Sequence, residues 1–385
     1  MGARTHCASL KVPLSAANLL ANALTSALER RFAVPLAIQT SRAALGLMAV
    51  LRCWPRRRNV CRVALSGAVC HDVVVAVLAA GCEPVFCDVD VSDGLVTEAE
   101  WIRARSLGAD VAIVVHLYGN PAPTKRVRDI FPPEECLVID DAAQALGSQS
   151  ADGAAGTQGD VGLLSFGYSK HISLGTAALL FRDPGFGATV GAFLERLTPE
   201  PGSARDHARG VFRAQLDAAR ARLREEGDPA ADAFSGLLTG LQPTLHEPLV
   251  KDVEKDILIA LESYPEAVAA RVMKAALWSG GLAGSGMQPV GMGRGCVPWR
   301  YACRLPGASW LTQHRLAEAL RKDGMHVSNW YLPAHWFLGQ GAGSLPGVER
   351  LSREVFQFWL DGETSSDSIV GNIALVRREV GWLSK

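Results

Sequence analysis

From Arg62 to Asp140 the chain alternates short β-branched runs with stretches of helical spacing, and this alternation constrains the fold more than any other feature. It predicts strands at Arg62 to Leu65, Pro84 to Val89, Val111 to Val115 and Leu137 to Asp140. Helices are expected between them at Asp72 to Ala80, Glu98 to Leu107 and Thr124 to Ile130. Strands joined through helices pair in parallel, so the expectation is an α/β fold with a mainly parallel sheet covered on both faces. Upstream, Leu19, Leu20, Ala23, Leu24, Ala27, Leu28 and Phe32 recur at helical spacing, as in an amphipathic helix that packs an N-terminal arm onto the body. A second helix is expected from near Ser41 to Leu51.

The expected divisions are an arm over residues 1–30, a large domain over 31–260 and a small C-terminal α+β domain over 261–385. A 385-residue chain that is 48% hydrophobic and 20% charged has room for such a core. The formal net charge of +0 gives no electrostatic reason to expect nucleic acid or a membrane surface as a partner. Nine scattered cysteines without zinc spacing fit thiols in a reducing cytoplasm, with no metal site expected. The apolar runs near Val73 to Ala80 and Ile172 to Phe181 are too short to span a bilayer. The first residues lack the apolar core of a secretory signal, and Thr5-His6 misses the acylation pattern.

The chemistry centres on Lys170, which closes the run Ser165-Phe166-Gly167-Tyr168-Ser169-Lys170. A lone lysine is ordinarily a surface group. This one lies between Leu163, Leu164 and Phe166 and the uncharged run Ile172 to Phe181, where a solvated ammonium is costly. Burial lowers a lysine pKa, as a Schiff-base lysine requires. Asp140 and Asp141 end a strand, the place where open α/β sheets bind ligands, and they point to opposite faces, so one faces the site. An amine, a carboxylate and hydroxyls are what pyridoxal phosphate needs: a lysine for its aldehyde, an acid for its ring nitrogen and donors for its phosphate.

The stretch from Val138 to Phe181 resembles the DegT/StrS-type aminotransferases, which aminate keto sugars. The resemblance lies in Asp141-Ala142-Ala143-Gln144 and in Gly159-Asp160 through Ser165-Phe166 to Lys170. Val115-His116-Leu117-Tyr118-Gly119 and Gly81-Cys82-Glu83-Pro84-Val85-Phe86-Cys87-Asp88-Val89-Asp90 add to it. The resemblance implies the fold of fold-type I pyridoxal phosphate transferases and a homodimer taking a small-molecule amino donor and a keto acceptor. It also implies that Lys170 holds the cofactor, Asp141 pairs with its ring nitrogen and Gln144 lies against the ring. Ser165 would reach the phosphate, with further donors from Thr40-Ser41-Arg42-Ala43-Ala44, where Ser41 is equally compatible with an ordinary helix N-cap.

Three departures stand out. Where the family stacks an aromatic on the ring, this chain reads Val69-Cys70-His71, so Cys70 or His71 takes that face. Gly175-Thr176-Ala177-Ala178 replaces the family's Gly-Glu-Gly-Gly, and no Gly-x-Asn-x-Arg segment precedes the C-terminal domain. Dehydrating relatives carry histidine in place of the lysine; Lys170 favours amino transfer, while the adjacent His171 keeps elimination open, and the departures leave a non-catalytic cofactor-binding protein as a third reading.

Residues 199–243 differ in texture. Val211 to Glu226 reads as a basic amphipathic helix ending at Gly227, either a solvated insertion or a lid, membrane-surface or partner helix. In the C-terminal part, a strand is expected at Val297 to Cys303 and closing elements at Leu351 to Leu360 and Ser366 to Val380. Gly324 to Pro333 resembles the family's Tyr-x-Pro turn, which brings Tyr331 to the site. Candidate substrate contacts are His116, Tyr118, His171, Arg300, Tyr331 and His335, whereas Trp330, Trp336, Phe337 and Trp359 fit the core.

Overall fold

The computed structural model describes residues 23–55, 59–250, 252–329, 331–339 and 343–383. Leu19, Leu20 and Trp330 lie outside this set.

Seven strands form the central sheet: β1 (Leu36–Thr40), β2 (Arg62–Ser66), β3 (Glu83–Cys87), β4 (Val111–Val115), β5 (Leu137–Asp141), β8 (Val161–Phe166) and β9 (Thr176–Phe181). A small hairpin of β6 (Gln149–Ser150) and β7 (Gly153–Ala154) intervenes in sequence. The order across the sheet is β1-β9-β8-β5-β4-β2-β3. The run from β3 to β8 is parallel, and β9 is antiparallel to both its neighbours. The helices α1 (Ala23–Phe32), α2 (Ala43–Cys53), α3 (His71–Ala79), α4 (Glu98–Ser106) and α5 (Thr124–Ile130) link or flank these strands. Both faces of the sheet are covered, which is why β4 and β9 carry nearly unbroken apolar sequence instead of alternating.

The alternation from Arg62 onward therefore gives the elements the sequence predicts, with ends shifted by one or two residues. α2 begins later than expected: its N-cap is Arg42, and Ser41 makes no cap hydrogen bond. Asp160 of the Gly-Asp pair ties two layers together, accepting from Arg128 Nη1 at 2.6 Å and Val138 N at 2.8 Å. Its neighbour Gly159 has no room for a side chain, since a Cβ there would lie 2.6 Å from the Val138 carbonyl oxygen.

Beyond β9 come α6 (Pro184–Glu195) and α7 (Gly202–Glu226). α7 starts nine residues before the predicted Val211 and ends as predicted, at Gly227 with φ +72°. Its stripe of Phe212, Leu216, Ala219 and Leu223 is buried in the main core, so the segment is a packed half-solvated helix. α8 (Glu254–Glu262) places Ile257 and Leu261 against Leu24 and Leu28 of α1. α9 (Tyr264–Leu282) leads to a second sheet of β10 (Gln288–Pro289), β11 (Tyr301–Arg304), β12 (Val327–Ser328) and β13 (Val355–Phe358), in the order β10-β11-β13-β12. α10 (Trp310–Lys322), α11 (Pro346–Glu354) and α12 (Ser366–Leu383) complete the layer around this second sheet. Its core stacks Trp278 on Phe358 at 4.4 Å and on Tyr301 at 5.8 Å. The strand expected from Val297 is formed only from Tyr301; residues 297–300 instead meet loops beside the large sheet, Val297 N donating to Ser148 Oγ at 2.9 Å and Trp299 N to the Tyr118 carbonyl at 3.2 Å. Leu351 to Leu360 is the end of α11 followed by β13.

Gly159→Ala is expected to cost about 1–3 kcal/mol by overpacking. Chemical denaturation of the purified variant against wild type reads this directly, and an unchanged midpoint contradicts the packing at Val138.

Candidate active site

The carboxyl ends of β1, β4, β5 and β8 open onto one cavity of about 560 Å³, lined by Ser41, Arg42, Ala43, Cys70, Asp141, Gln144, Ser165 and Lys170. β1 reaches the same end because it is antiparallel to β9, which is itself antiparallel to β8. All eight are residues that the sequence assigns to cofactor binding.

The two aspartates of β5 separate as a pleated strand requires. Asp140 turns away from the cavity, accepting from Thr124 Oγ1 at 2.6 Å and Gln158 N at 2.8 Å and pairing with His116 Nε2 at 2.7 Å. Burial alone would raise its pKa, but these partners outweigh burial and hold it below the ordinary value. Asp141 lines the cavity, and among the described residues its carboxylate accepts only from Ala143 N, at 2.9 Å. Burial raises its pKa, against the opposing pull of Lys170.

Lys170 sits on the 167–175 connection between β8 and β9. Both ends of that loop are pinned: Leu174 and Gly175 donate to the Phe166 carbonyl at 2.7 and 2.8 Å, with Gly175 at φ +88°. Ser169 adopts φ +58° and is held by Ser173 Oγ and by Trp299, whose Nε1 donates to the Ser169 carbonyl at 2.6 Å. Lys170 Nζ lies 5.0 Å from the Trp299 ring centroid. Burial lowers its pKa, partly countered by Asp141 and Asp72.

The anion end of the cavity is made by β1 and α2. The first N–H groups of α2 have no intrahelical acceptor, and Ser41 Oγ is buried without a partner. Ser165 lines the same cavity. A buried orphan hydroxyl beside a helix N-terminus fits a phosphate, so the residues present fit pyridoxal phosphate at both ends. Arg42 contributes backbone only: its guanidinium is spent on Asp72 at 2.7 Å, Glu247 at 3.2 Å and the Thr244 carbonyl at 3.0 Å.

Of Cys70 and His71, Cys70 faces the cavity, its thiol pushed up to about 11 by burial. His71 turns to Phe212 of α7, with ring centroids 4.9 Å apart. Gln144 accepts from Tyr118 N at 3.0 Å and donates to the Tyr331 hydroxyl, which brings Tyr331 into the cavity as expected. Tyr118 stands one layer back, its hydroxyl buried without a partner and its ring 5.8 Å from Tyr331.

Three histidines expected at the substrate do not line the cavity. His116 has both ring nitrogens engaged, with Asp140 and with Ala122 N at 2.7 Å. His171 is turned toward Tyr264 and the Val297 carbonyl, and burial drives its pKa well down. His335 is buried against Phe86 and pairs with Glu349 at 3.1 Å. A histidine beside a motif residue can point to either side of the chain, and packing here takes all three inward. Lining residues that the sequence did not single out for the site include Arg209, from the α7 insertion, Glu247, and Trp299, from the crossover before β11.

The fold is that of the fold-type I pyridoxal phosphate enzymes, and the residues of this cavity fit that cofactor. Residues 22–193, the segment that carries the large sheet, Asp141 and Lys170, match the model of the DegT/DnrJ/EryC1/StrS aminotransferase family. A UDP-N-acetyl-3-dehydro-alpha-D-glucosamine 3-aminotransferase of Acidithiobacillus ferrooxidans is 39% identical over 121 residues, 31% of each chain. An L-glutamine:2-deoxy-scyllo-inosose aminotransferase of Streptoalloteichus tenebrarius is 27% identical over 331 residues, 78% of this chain and 72% of that one. The matches to the first of these and to a dTDP-4-amino-4,6-dideoxy-D-glucose transaminase of Shigella dysenteriae span less than a third of those proteins, at 31% and 28%. Among solved structures, a putative sugar aminotransferase of Streptococcus pneumoniae in its PMP form superimposes with a TM-score of 0.74 at 17% identity, covering 95% of this chain and 94% of that one.

Asp140→Asn and Asp141→Asn should separate cleanly in the cofactor-free chain. Asp140 has a depressed folded pKa, so its contribution is present above the ordinary carboxylate range and lost as pH falls through the folded value. Asp140→Asn is expected to lose about 3–5 kcal/mol near neutrality, since it breaks a buried hydrogen-bonded pair, with the gap to wild type shrinking below about pH 4. Asp141 has a raised folded pKa, so its ionisation opposes folding, and Asp141→Asn should be as stable as wild type or more so at neutral pH. Urea denaturation across pH measures both; equal losses would contradict the division of labour.

Proposed function

We propose that the protein is a pyridoxal-phosphate-dependent aminotransferase that moves an amino group from a donor such as glutamate to a keto acceptor, best read as a nucleotide-linked keto sugar. The observation that carries the reading is the convergence of Lys170, Asp141 and the Ser41 anion cradle on one cavity. When bound, the cofactor supplies an aldehyde that takes up amines and a ring that withdraws electrons from the carbon bearing the nitrogen. Lys170 is the group placed to hold the aldehyde end, and its lowered pKa suits an amine that must also accept and return a proton at the substrate carbon. Asp141 keeps a proton on the ring nitrogen, a buried carboxylate beside a cation being more stable there than one alone. Gln144 and Tyr331, bonded to each other, fix the edge of the site, and Cys70 takes the ring face.

The acceptor class rests on the relatives, several of which are named for amination of nucleotide-linked sugars or of scyllo-inosose. His171 lies outside the cavity lining, so the feature that kept elimination open falls away. The proposal includes a homodimer: Tyr168, 92% exposed at the cavity mouth, is a large ring left for another surface to cover. It also includes a cytoplasmic setting. Among the described residues the cysteines are free and no helix is long and apolar enough to cross a membrane.

Mixing holoenzyme with glutamate is expected to shift its absorbance from the aldehyde form to the amine form in a single turnover, and a keto acceptor should reverse it. An unchanged spectrum with glutamate, glutamine and other amino donors contradicts amino transfer. Across acceptors, nucleotide-linked keto sugars are expected to give the highest kcat/KM. A cyclitol ketone or free keto acid that surpasses all of them overturns the sugar assignment and leaves the transaminase.

A further inference from the structure

The helix α7 lies beyond residues 22–193, the part of the chain that matches the family model, and it carries charges that the cofactor site does not use. Its buried stripe fixes it to the core, with the Phe212 ring 4.9 Å from that of His71 at the start of α3. Each one position further on from that stripe lie Arg213, Asp217, Arg220 and Arg224, with Arg209 one turn earlier. Spacings of three and four put them in one row on the helix surface. Arg209, Arg213 and Arg220 line a groove of about 410 Å³, opposite Arg42 and Asp72. The groove adjoins the Lys170 cavity, sharing Arg42, Asp72 and Arg209 with it. The eleven steps from Arg209 to Arg220 rise about 16 Å along the helix.

The acids within reach offset the near end of this row and not the far end. Asp72 and Glu247 are bound to Arg42, at 2.7 and 3.2 Å, and Glu247 also meets Arg209. Asp206 reaches Arg209 at 3.4 Å from an exposed position. Beside Arg213 and Arg220, the acid lining the groove is Asp217. Arg213 is exposed and makes no hydrogen bond or ion pair among the described residues. Arg220 is half-buried: burial lowers its pKa to about 10, Asp217 raises it, and Arg224 and Arg321 lower it further. The surplus positive charge therefore lies away from Lys170. An anion that runs from the cavity into the groove and carries more than one charge would meet it. A single carboxylate is matched by one guanidinium, whereas a diphosphate offers linked anionic groups that several arginines hold through charge-assisted bonds. Leu216 and Leu241 add apolar wall, where such bonds are stronger than in water.

We propose that the groove between α7 and α3 seats the diphosphate of the acceptor, held by Arg213 and Arg220 with Arg209 at its entrance. This rests on the reading of the acceptor as a nucleotide-linked keto sugar and deepens it, since it names the residues that select a nucleotide-linked ketone over a free one.

The test is calorimetric titration of the holoenzyme with unreactive probes: uridine diphosphate, pyrophosphate, glucose 1-phosphate, inorganic phosphate and uridine. The two diphosphates are expected to bind, the two monophosphates to bind roughly tenfold more weakly, the scale of a lost charge-assisted bond, and uridine not to bind. Arg213→Ala and Arg220→Met should each weaken both diphosphates by roughly the same factor. Arg222→Ala, on the exposed side of α7 where Arg222 pairs with Glu226 at 3.0 Å, should leave them unchanged. If Arg220→Met unfolds, the exposed Arg213→Ala carries the comparison. Unchanged diphosphate affinity in folded Arg213→Ala overturns the proposal, as does an equal loss in Arg222→Ala, a monophosphate that binds as tightly as the diphosphates, or no binding of either diphosphate to wild type. Failure of the parent reading looks different: the diphosphates still bind through Arg213 and Arg220, and no amino donor changes the cofactor spectrum.

Discussion

Two adjacent carboxylates at the end of one strand do opposite work, and the site depends on keeping them apart. The pleat sends Asp140 into the layer beneath the sheet, where His116, Thr124 and the Gln158 N–H satisfy it. Fixing Asp140 in this way fixes the register of β5, and that register leaves Asp141 in the cavity with a single backbone donor. The structural carboxylate is cheap to ionise and the functional one is expensive. That contrast is what a site needs if it is to stabilise a positive charge brought by a ligand.

The same economy governs the lysine. Its loop is tied at Phe166, Ser173 and Trp299, so the chain spends hydrogen bonds on the loop backbone and leaves Nζ against an indole. Trp299 comes from the crossover before β11, and it supports Lys170 and Arg300 together. The large sheet thus supplies Asp141, Ser165 and the Lys170 loop, while the crossover before β11 supplies Trp299 and Arg300.

The large-domain half was legible because its determinants are local. Period-two alternation separates Asp140 from Asp141, and the strand-helix alternation gives the parallel sheet. The spacing from Asp141 to Lys170 reflects the Asp160 tie and the hairpin closed at Gly175, both short-range in sequence. What the sequence could not show comes from long-range packing. The helix of residues 202–226 looks solvated until its Phe212 stripe meets the core, and Arg209 reaches the cavity only through that packing. His116, His171 and His335 read as functional because histidine so often is, but the partners that draw them inward, Asp140, Tyr264 and Glu349, are not predictable from neighbouring residues. Ser41 reads equally as a cap or a phosphate donor, and the start of α2 one residue beyond a Ser41 cap leaves its hydroxyl to the cavity.

The central claim is that Lys170, one of eight lysines in the chain, is the one that carries the cofactor. Borohydride reduction of the holoenzyme followed by peptide mass mapping tests it most directly. The account predicts a phosphopyridoxyl group on the peptide containing Lys170 and on no other. The group on a different lysine, or on none, would contradict it.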